Sequence, residues 1–265
     1  MSNPKGTALI TGASRGIGAI YADRLAQRGY DLILVARDAT RLAALGANLA
    51  RRTGVKMTVL AADLNDTDDL CKVEARLRSD AGITMLVNNA GIAALTPLLQ
   101  SDVDAMQRMI ELNVTALTRL TYAVAPAFVA RGAGTIVNIA SIVGVQPEAL
   151  NGVYGATKAY VLALGHSLQH ELGGKGVRIQ TVLPGVTATE IWETAGKSWR
   201  ELPAHIVMSA EDMVDAALAG LDHGELVTLP GLQDDEEWKR YEAARRALAG
   251  KLSTSTPAPR YRVAA

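Results

Sequence analysis

Between residues 7 and 185 short apolar runs, each one strand long, alternate with stretches of helical spacing, and this alternation limits the fold more than any other feature. "TALIT" (7–11) precedes "AIYADRLAQRG", in which Ile20, Ala22, Leu25 and Ala26 share a face and Gly29 ends the element. "DLILVA", "KMTVLAAD", "TMLVNNAG", "GTIVNIAS" and "VRIQTVLPG" read as five further strands. Helices are predicted over "RLAALGANLARR", "DTDDLCKVEARL", 102–131 and 152–173, with Pro126 kinking or ending the third of these. Strands that are apolar throughout, each followed by a helix, belong to a parallel sheet covered on both faces.

The expected fold is therefore α/β: a doubly wound, predominantly parallel, Rossmann-like sheet of about seven strands, "ELVTLP" supplying the last. After Gly185 the alternation weakens. Residues 186–209 read as a flap over a substrate, "AEDMVDAALAGL" as a helix, "DDEEWKRYEAARRALAG" as a charged helix and 253–265 as a Ser/Thr/Pro tail. This gives one domain over 1–232, followed by a helical extension and flexible tail over 233–265.

Composition removes several classes of function. Lys and Arg together number 27, as do Asp and Glu, so the basic footprint of a nucleic-acid binder is missing. The single cysteine, Cys71, excludes an intrachain disulfide and a cysteine-based zinc site. No basic-then-apolar leader opens the chain, and "TYAVAPAFVA" is too short and proline-broken to span a bilayer. A cytoplasmic protein without a membrane span is expected. His166 and His170 stand four apart on a helix, but Ser167 occupies the place where a zincin needs glutamate, so no metal site is expected.

In a doubly wound sheet, ligands bind beyond the carboxyl ends of the strands. After the first strand comes "TGASRGIG", with Gly12, Gly16 and Gly18 at the start of a helix. Glycines there permit a sharp turn and let a pyrophosphate approach the helix N-terminus. By itself the turn would also serve as a plain strand-to-helix connection. "YGATK" (154–158) puts a phenol and an ammonium on one helix face. Alone, that pair reads equally as a half-buried tyrosine beside a solvated lysine.

Taken together, "TGASRGIG" (11–18), "NNAG" (88–91), Asn113, Ser141, "YGATK" and "PG" (184–185) resemble the short-chain dehydrogenase/reductase family in order and spacing, with twelve residues between Ser141 and Tyr154. The resemblance covers residues 5 to about 225. It implies hydride transfer between a nicotinamide cofactor and a ketone/secondary-alcohol pair. Tyr154 would be the acid/base, and Lys158 would tune it and hold the nicotinamide ribose. Ser141 would bind the substrate oxygen, and Asn113 would place a water in a proton relay. A free tyrosine has a pKa of about 10, and a neighbouring ammonium is expected to lower it. The small residues Gly155, Ala156 and Thr157 are expected to leave the helix surface low beside the cofactor. Gly12, Ser14, Arg15, Gly16, Ile17, Gly18, Arg37, Asp63, Leu64, Asn89, Ala90, Gly91, Pro184, Gly185, Thr187 and Thr189 would complete the cofactor site with Tyr154 and Lys158. Asp63 reads equally as a helix cap.

NAD-selecting folds carry an acid at the end of the second strand. Here Arg37 aligns with that position and Asp38 follows it, so NADP is the expected cofactor, with Arg15 approaching its 2′-phosphate from the glycine turn. Ser141, Val143, Tyr154, Ile191 and Trp192 are the expected substrate contacts. Trp199, Ile206, Val207, Met208, Val145, Leu150, Ala93, Ala94 and Leu95 would extend an apolar wall that favours a hydrophobic or aromatic carbonyl or alcohol. A homo-oligomer, dimer or tetramer, is expected. The alternatives are a β-ketoacyl-carrier-protein-type reductase and a non-catalytic dinucleotide sensor.

Overall fold

The computed structural model describes residues 5–261. Among these, seven strands form one sheet: β1 (Thr7–Thr11), β2 (Asp31–Ala36), β3 (Met57–Ala61), β4 (Ile83–Asn88), β5 (Gly134–Ile139), β6 (Val177–Val182) and β7 (Val227–Thr228). All neighbours run parallel, in the order β3-β2-β1-β4-β5-β6-β7. The helices are α1 (Gly16–Gln27), α2 (Ala39–Thr53), α3 (Thr67–Ser79), α4 (Val103–Ile110), α5 (Leu117–Arg131), α6 (Gly152–Leu172), α7 (Ile191–Thr194), α8 (Ala210–His223) and α9 (Asp235–Arg246).

The period of two along each central strand divides its side chains between two cores. Ala8 and Ile10, Leu32 and Leu34, and Met85 and Val87 enter one cluster with residues of α1, α2 and α8. Leu9, Ile33, Val35 and Leu86 enter the other, with residues of α3, α5 and α6. The doubly wound sheet read from the alternation is the one observed. β3, at the sheet edge, is half-exposed rather than apolar on both faces.

The stretch 102–131 departs from the expected single helix. Asp102 caps α4, a π-helical turn spans Glu111–Ala116, and α5 then runs through Pro126 to a left-handed Gly132. Pro126 does not end it. The carbonyl that a proline leaves without a donor lies four residues back, on Tyr122, an exposed residue.

Contacts divide the chain into units 1–230 and 231–265. In the second, α9 starts from Asp234, whose side chain accepts from the Glu236 N–H at 3.0 Å. Three acids fill its first turn, and Trp238 stacks on Tyr241. The last four residues of the expected tail lie outside the described ones. No described helix is long and apolar enough to cross a membrane.

One charge is buried between α3 and α5. Glu74, 3% exposed, accepts from Arg119 Nε and from Arg78 Nη2, the latter at 2.6 Å. These guanidiniums, Arg119 foremost, hold its carboxyl below the ordinary range. Glu74→Gln should cost about 1–2 kcal/mol at neutral pH, the scale of charge-assisted hydrogen bonds. A lowered folded pKa gives stability that is fully present above the unfolded value of about 4.3 and is lost as pH falls through the folded one. Urea unfolding of both proteins at about pH 7 and about pH 3 checks this; a cost that does not shrink in acid would rule the charge out as its source.

Candidate active site

The carboxyl ends of the central strands open on a cleft of about 890 Å³. It lies where strand order reverses, β2 and β4 flanking β1 on opposite sides. Its first wall is the turn from β1 to α1. Gly12 (φ 65°) and Gly16 (φ 52°) hold left-handed backbone that favours glycine. Gly18 is needed for another reason: a Cβ there would stand 2.3 Å from the Gly12 carbonyl oxygen and 2.5 Å from Asn89 Nδ2. Gly12, Ser14, Arg15, Gly16 and Ile17 line the cleft, whereas Gly18 packs behind it.

The start of α1 is the place where a phosphate fits. No side chain caps it, and no acid occupies its first turn. By contrast α2, α3, α4, α6, α8 and α9 all begin at an Asp, Asn or Ser whose side chain accepts a first-turn N–H. The free N–H groups and helix dipole of α1 thus remain for an anion.

The end of β4 braces this turn. Asn89 Nδ2 donates to the Thr11 and Gly12 carbonyls at 2.8 and 3.2 Å, and Thr11 Oγ1 accepts from the N–H groups of Asn89 and Ala90. Asn88, buried below, donates to Thr121 and Asn138. Asn89, Ala90 and Gly91 line the cleft, as do Pro184, Gly185, Thr187 and Thr189 across from them in the chain after β6.

Ser141 lies two residues past the end of β5, and α6 presents Tyr154 and Lys158 one turn apart; all three line the cleft. Asn151 sets the start of α6 by accepting from the N–H groups of Val153 and Tyr154. Gly155, Ala156 and Thr157 do not face the cleft, because only i and i+4 share that side. Gly155 instead allows α6 to approach Pro147, whose carbonyl oxygen would lie 2.8 Å from a Cβ. Thr157 donates to the Tyr154 carbonyl.

Burial dominates the electrostatics of this pair. Burial pushes the Tyr154 phenol up to about 12, with the neighbouring Ser141 hydroxyl acting the other way; Ser141 Oγ itself donates to the Pro184 carbonyl at 3.4 Å. Burial pushes the Lys158 ammonium down to about 8. Lys158 Nζ donates to the Ile139 carbonyl at 2.9 Å and stands 5.8 Å from the Tyr154 ring centroid. In the free chain desolvation is the largest effect on both groups. Asn113, in the π-helical turn, lies behind the wall. Its amide exchanges two hydrogen bonds with the Ile92 backbone at 3.0 and 2.9 Å and donates to Thr157 Oγ1.

At the far end, Arg37 follows β2, is largely exposed, and its Nη1 lies 4.0 Å from Asp63 Oδ2. Asp38 also lines the cleft while it caps α2, accepting from the Arg41 N–H at 2.9 Å. Asp63 accepts from the Asn65 N–H, and Asp66 caps α3 in its place. Asp63 and Leu64 line the cleft beside Asn65, whose buried Oδ1 has no hydrogen-bond partner. An unpaired buried acceptor, an uncapped helix start and exposed guanidiniums together fit a phosphorylated dinucleotide. Arg15 and Arg41 both hold Glu190, at 2.8 and 3.3 Å.

Val143, Leu150, Ala93, Leu95, Ile191 and Trp192 form the apolar end of the cleft, together with Leu112 and one cation, Arg108. Trp192 is also pinned by its own N–H to the Thr187 carbonyl at 3.0 Å. Trp199, Ile206, Val207, Met208, Val145 and Ala94 are not in the wall. Met208 packs on the first core and bridges to Thr187, which folds the flap's far end back onto its start. Sequence reasoning passed over Arg41, Asn65, Arg108 and Glu190. Only Arg41 left a local signal, three residues after the cap it serves; the partners of Glu190 are about 150 and 175 positions away.

The chain's relatives match this arrangement. The short chain dehydrogenase family model matches residues 6–199. A short-chain dehydrogenase from Sphingobium yanoikuyae, solved in complex with NADPH, is 50% identical with a TM-score of 0.94, covering 97% of this chain and 100% of that one. A bulky-bulky ketone specific alcohol dehydrogenase from Comamonas testosteroni is 44% identical with a TM-score of 0.90, covering 98% and 99%. The very-long-chain 3-oxoacyl-CoA reductase of Bos taurus is 33% identical over 208 residues, 77% of this chain, which spans 66% of that relative's length. With a glycine turn, a Ser-Tyr-Lys set lining the cleft and a family match over most of its length, the chain belongs to the short-chain dehydrogenase/reductase family.

Proposed function

We propose that this chain is an NADP(H)-dependent oxidoreductase that interconverts a ketone and a secondary alcohol on a hydrophobic or aromatic small molecule, with Tyr154 as the acid/base. One observation carries the reading: a buried phenol stands with Ser141 and Lys158 in a cleft with an apolar end and a basic end. The NADPH in the Sphingobium structure and the ketone specificity named for the Comamonas enzyme support it.

Bound NADPH supplies the hydride that reduces a carbonyl carbon. The chain's own groups manage the proton and the charge. With its phenol at about 12, Tyr154 holds its proton at neutral pH and donates it to the carbonyl oxygen as negative charge develops there. Ser141 donates a hydrogen bond to the same oxygen. Lys158, at about 8, exchanges protons near neutral pH and holds the ribose. Asn113 fixes the Ile92 backbone and the Thr157 hydroxyl around this set. Arg37 and Arg15 take the 2′-phosphate, and Val143, Ile191 and Trp192 take the substrate's apolar body. Catalysis is assigned to 1–232 and none to 233–265. The chain is taken to be cytoplasmic and a homo-oligomer, the second supported by the exposed apolar Leu98, Leu99 and Val103.

Tyr154→Phe keeps the ring and removes the proton. kcat should fall by at least about 100-fold, the scale of general acid/base effects, while NADPH still binds. Stopped-flow turnover and a cofactor titration measure the two. Near-normal turnover would end the mechanism, and a wild-type protein that binds NADPH but turns over no ketone would be a sensor instead.

The basic end predicts kcat/KM at least about tenfold higher with NADPH than with NADH, or roughly 1.4 kcal/mol. Arg37→Asp should erase or invert that ratio, since a carboxylate accepts from a 2′-hydroxyl and repels a phosphate. Equal kcat/KM for the two cofactors in the unmutated enzyme would refute the assignment.

The apolar end predicts that aryl and bulky alkyl ketones are reduced with higher kcat/KM than sugars or short polar ketones. A substrate panel with saturating NADPH decides this, and a clear preference for sugars would overturn it.

A further inference from the structure

Glu190 immediately precedes α7, at the start of the flap. Its Oε2 lies 2.8 Å from Arg15 Nη1 and 3.3 Å from Arg41 Nη1. The three residues come from the glycine turn, the first turn of α2 and the flap, and all line the same cleft as Arg37. The two guanidiniums hold the Glu190 carboxyl below the ordinary range, Arg15 contributing most. One oxygen shared by two guanidiniums is the contact a phosphate oxygen would make. The arginine side chains are 44% and 51% exposed, so an anion from solvent can reach them. A phosphate monoester brings about −1.5 to −2 charges and three acceptor oxygens, against one charge and two oxygens on a carboxylate.

We propose that Glu190 is a built-in stand-in for the cofactor's 2′-phosphate: it occupies the Arg15–Arg41 pair in the free enzyme and is displaced from it when NADP(H) binds, which releases the start of the flap. This rests on the proposed reading that Arg15, with Arg37, takes the 2′-phosphate, and it adds Arg41 to that set. NADH has no group to compete for them and leaves the Glu190 contacts in place. Glu190 therefore lowers the affinity for NADP(H) alone, and it makes the flap respond to which cofactor has bound. The coupling is reciprocal, so a flap held down by Glu190 weakens the 2′-phosphate site by the same factor.

The test uses the full chain without substrate and measures binding by calorimetry for NADPH, NADH and 2′,5′-ADP, the last carrying the phosphate without the nicotinamide. Glu190→Gln keeps the shape of the side chain and removes its charge. It should bind NADPH and 2′,5′-ADP about three- to tenfold tighter, the size of an exposed ion pair or two, and NADH within about twofold of the unmutated protein. The gain should shrink at high salt. Hydrogen exchange gives a second readout: 2′,5′-ADP should speed amide exchange over residues 190–195 in the unmutated protein, and Glu190→Gln should show the fast exchange with no ligand. Arg15→Ala and Arg41→Ala separate the two ways of failing. If they weaken 2′,5′-ADP binding while Glu190→Gln leaves it unchanged or weaker, the stand-in is refuted and the phosphate site stands. If they leave it unchanged, the Arg15–Arg41 pair does not read the phosphate and the stand-in falls, whereas the NADP(H) reading falls only if NADPH and NADH are also bound equally. An equal gain for NADH and NADPH in Glu190→Gln also overturns the proposal.

Discussion

Burial of the central sheet on both faces governs where anything else in this protein can happen. Ala8, Leu9, Ile10, Ile33, Leu34, Val35, Leu86 and Val87 are all 0–1% exposed, so neither face of β1, β2 or β4 has room for a polar ligand. Polar side chains are tolerated where backbone groups run out of partners, at the carboxyl ends. Thr11, Asn89, Ser141 and Pro184 are strand-end residues, and each gives or takes a hydrogen bond that fixes the cleft. The reversal of strand order around β1 parts the following helices and leaves the cleft between them.

The same burial reorders the chemistry of the Tyr154–Lys158 pair. In water an ammonium close to a phenol would draw its proton off more easily. Here both groups are desolvated, and each is pushed toward its uncharged form. The phenol keeps its proton over the whole neutral range, while the ammonium titrates just above it. The free state thus holds the neutral acid that the proposed carbonyl reduction would use.

The fold was legible because its signal is repetitive: six apolar runs separated by helical spacing leave little but a parallel, two-sided sheet. The residues at the strand ends were legible for a related reason, since the sheet tells where to look and the motifs fall there. What escaped was set by contacts rather than by pattern. No local rule says that the helix will pass Pro126, because that depends on where the residues around it sit in the fold. The flap defeated composition in the same way. Trp192 and Trp199 look alike in sequence, but only Trp192 turns into the cleft, and Trp199 stacks under Arg200. Glu190 was invisible because its two partners lie in the first fifth of the chain.

The bare start of α1 has a thermodynamic side. Every other long helix that begins afresh closes its first turn with a side chain of its own, a contribution of about 1 kcal/mol. At α1 that closure is left for a molecule from outside. Folding and ligand supply are then one equilibrium: each tenfold rise of a saturating ligand adds about 1.4 kcal/mol to the folded state. The lifetime of such a chain against proteolysis follows the size of the pool that fills its cleft, and a starved pool thins the enzyme as well as slowing it.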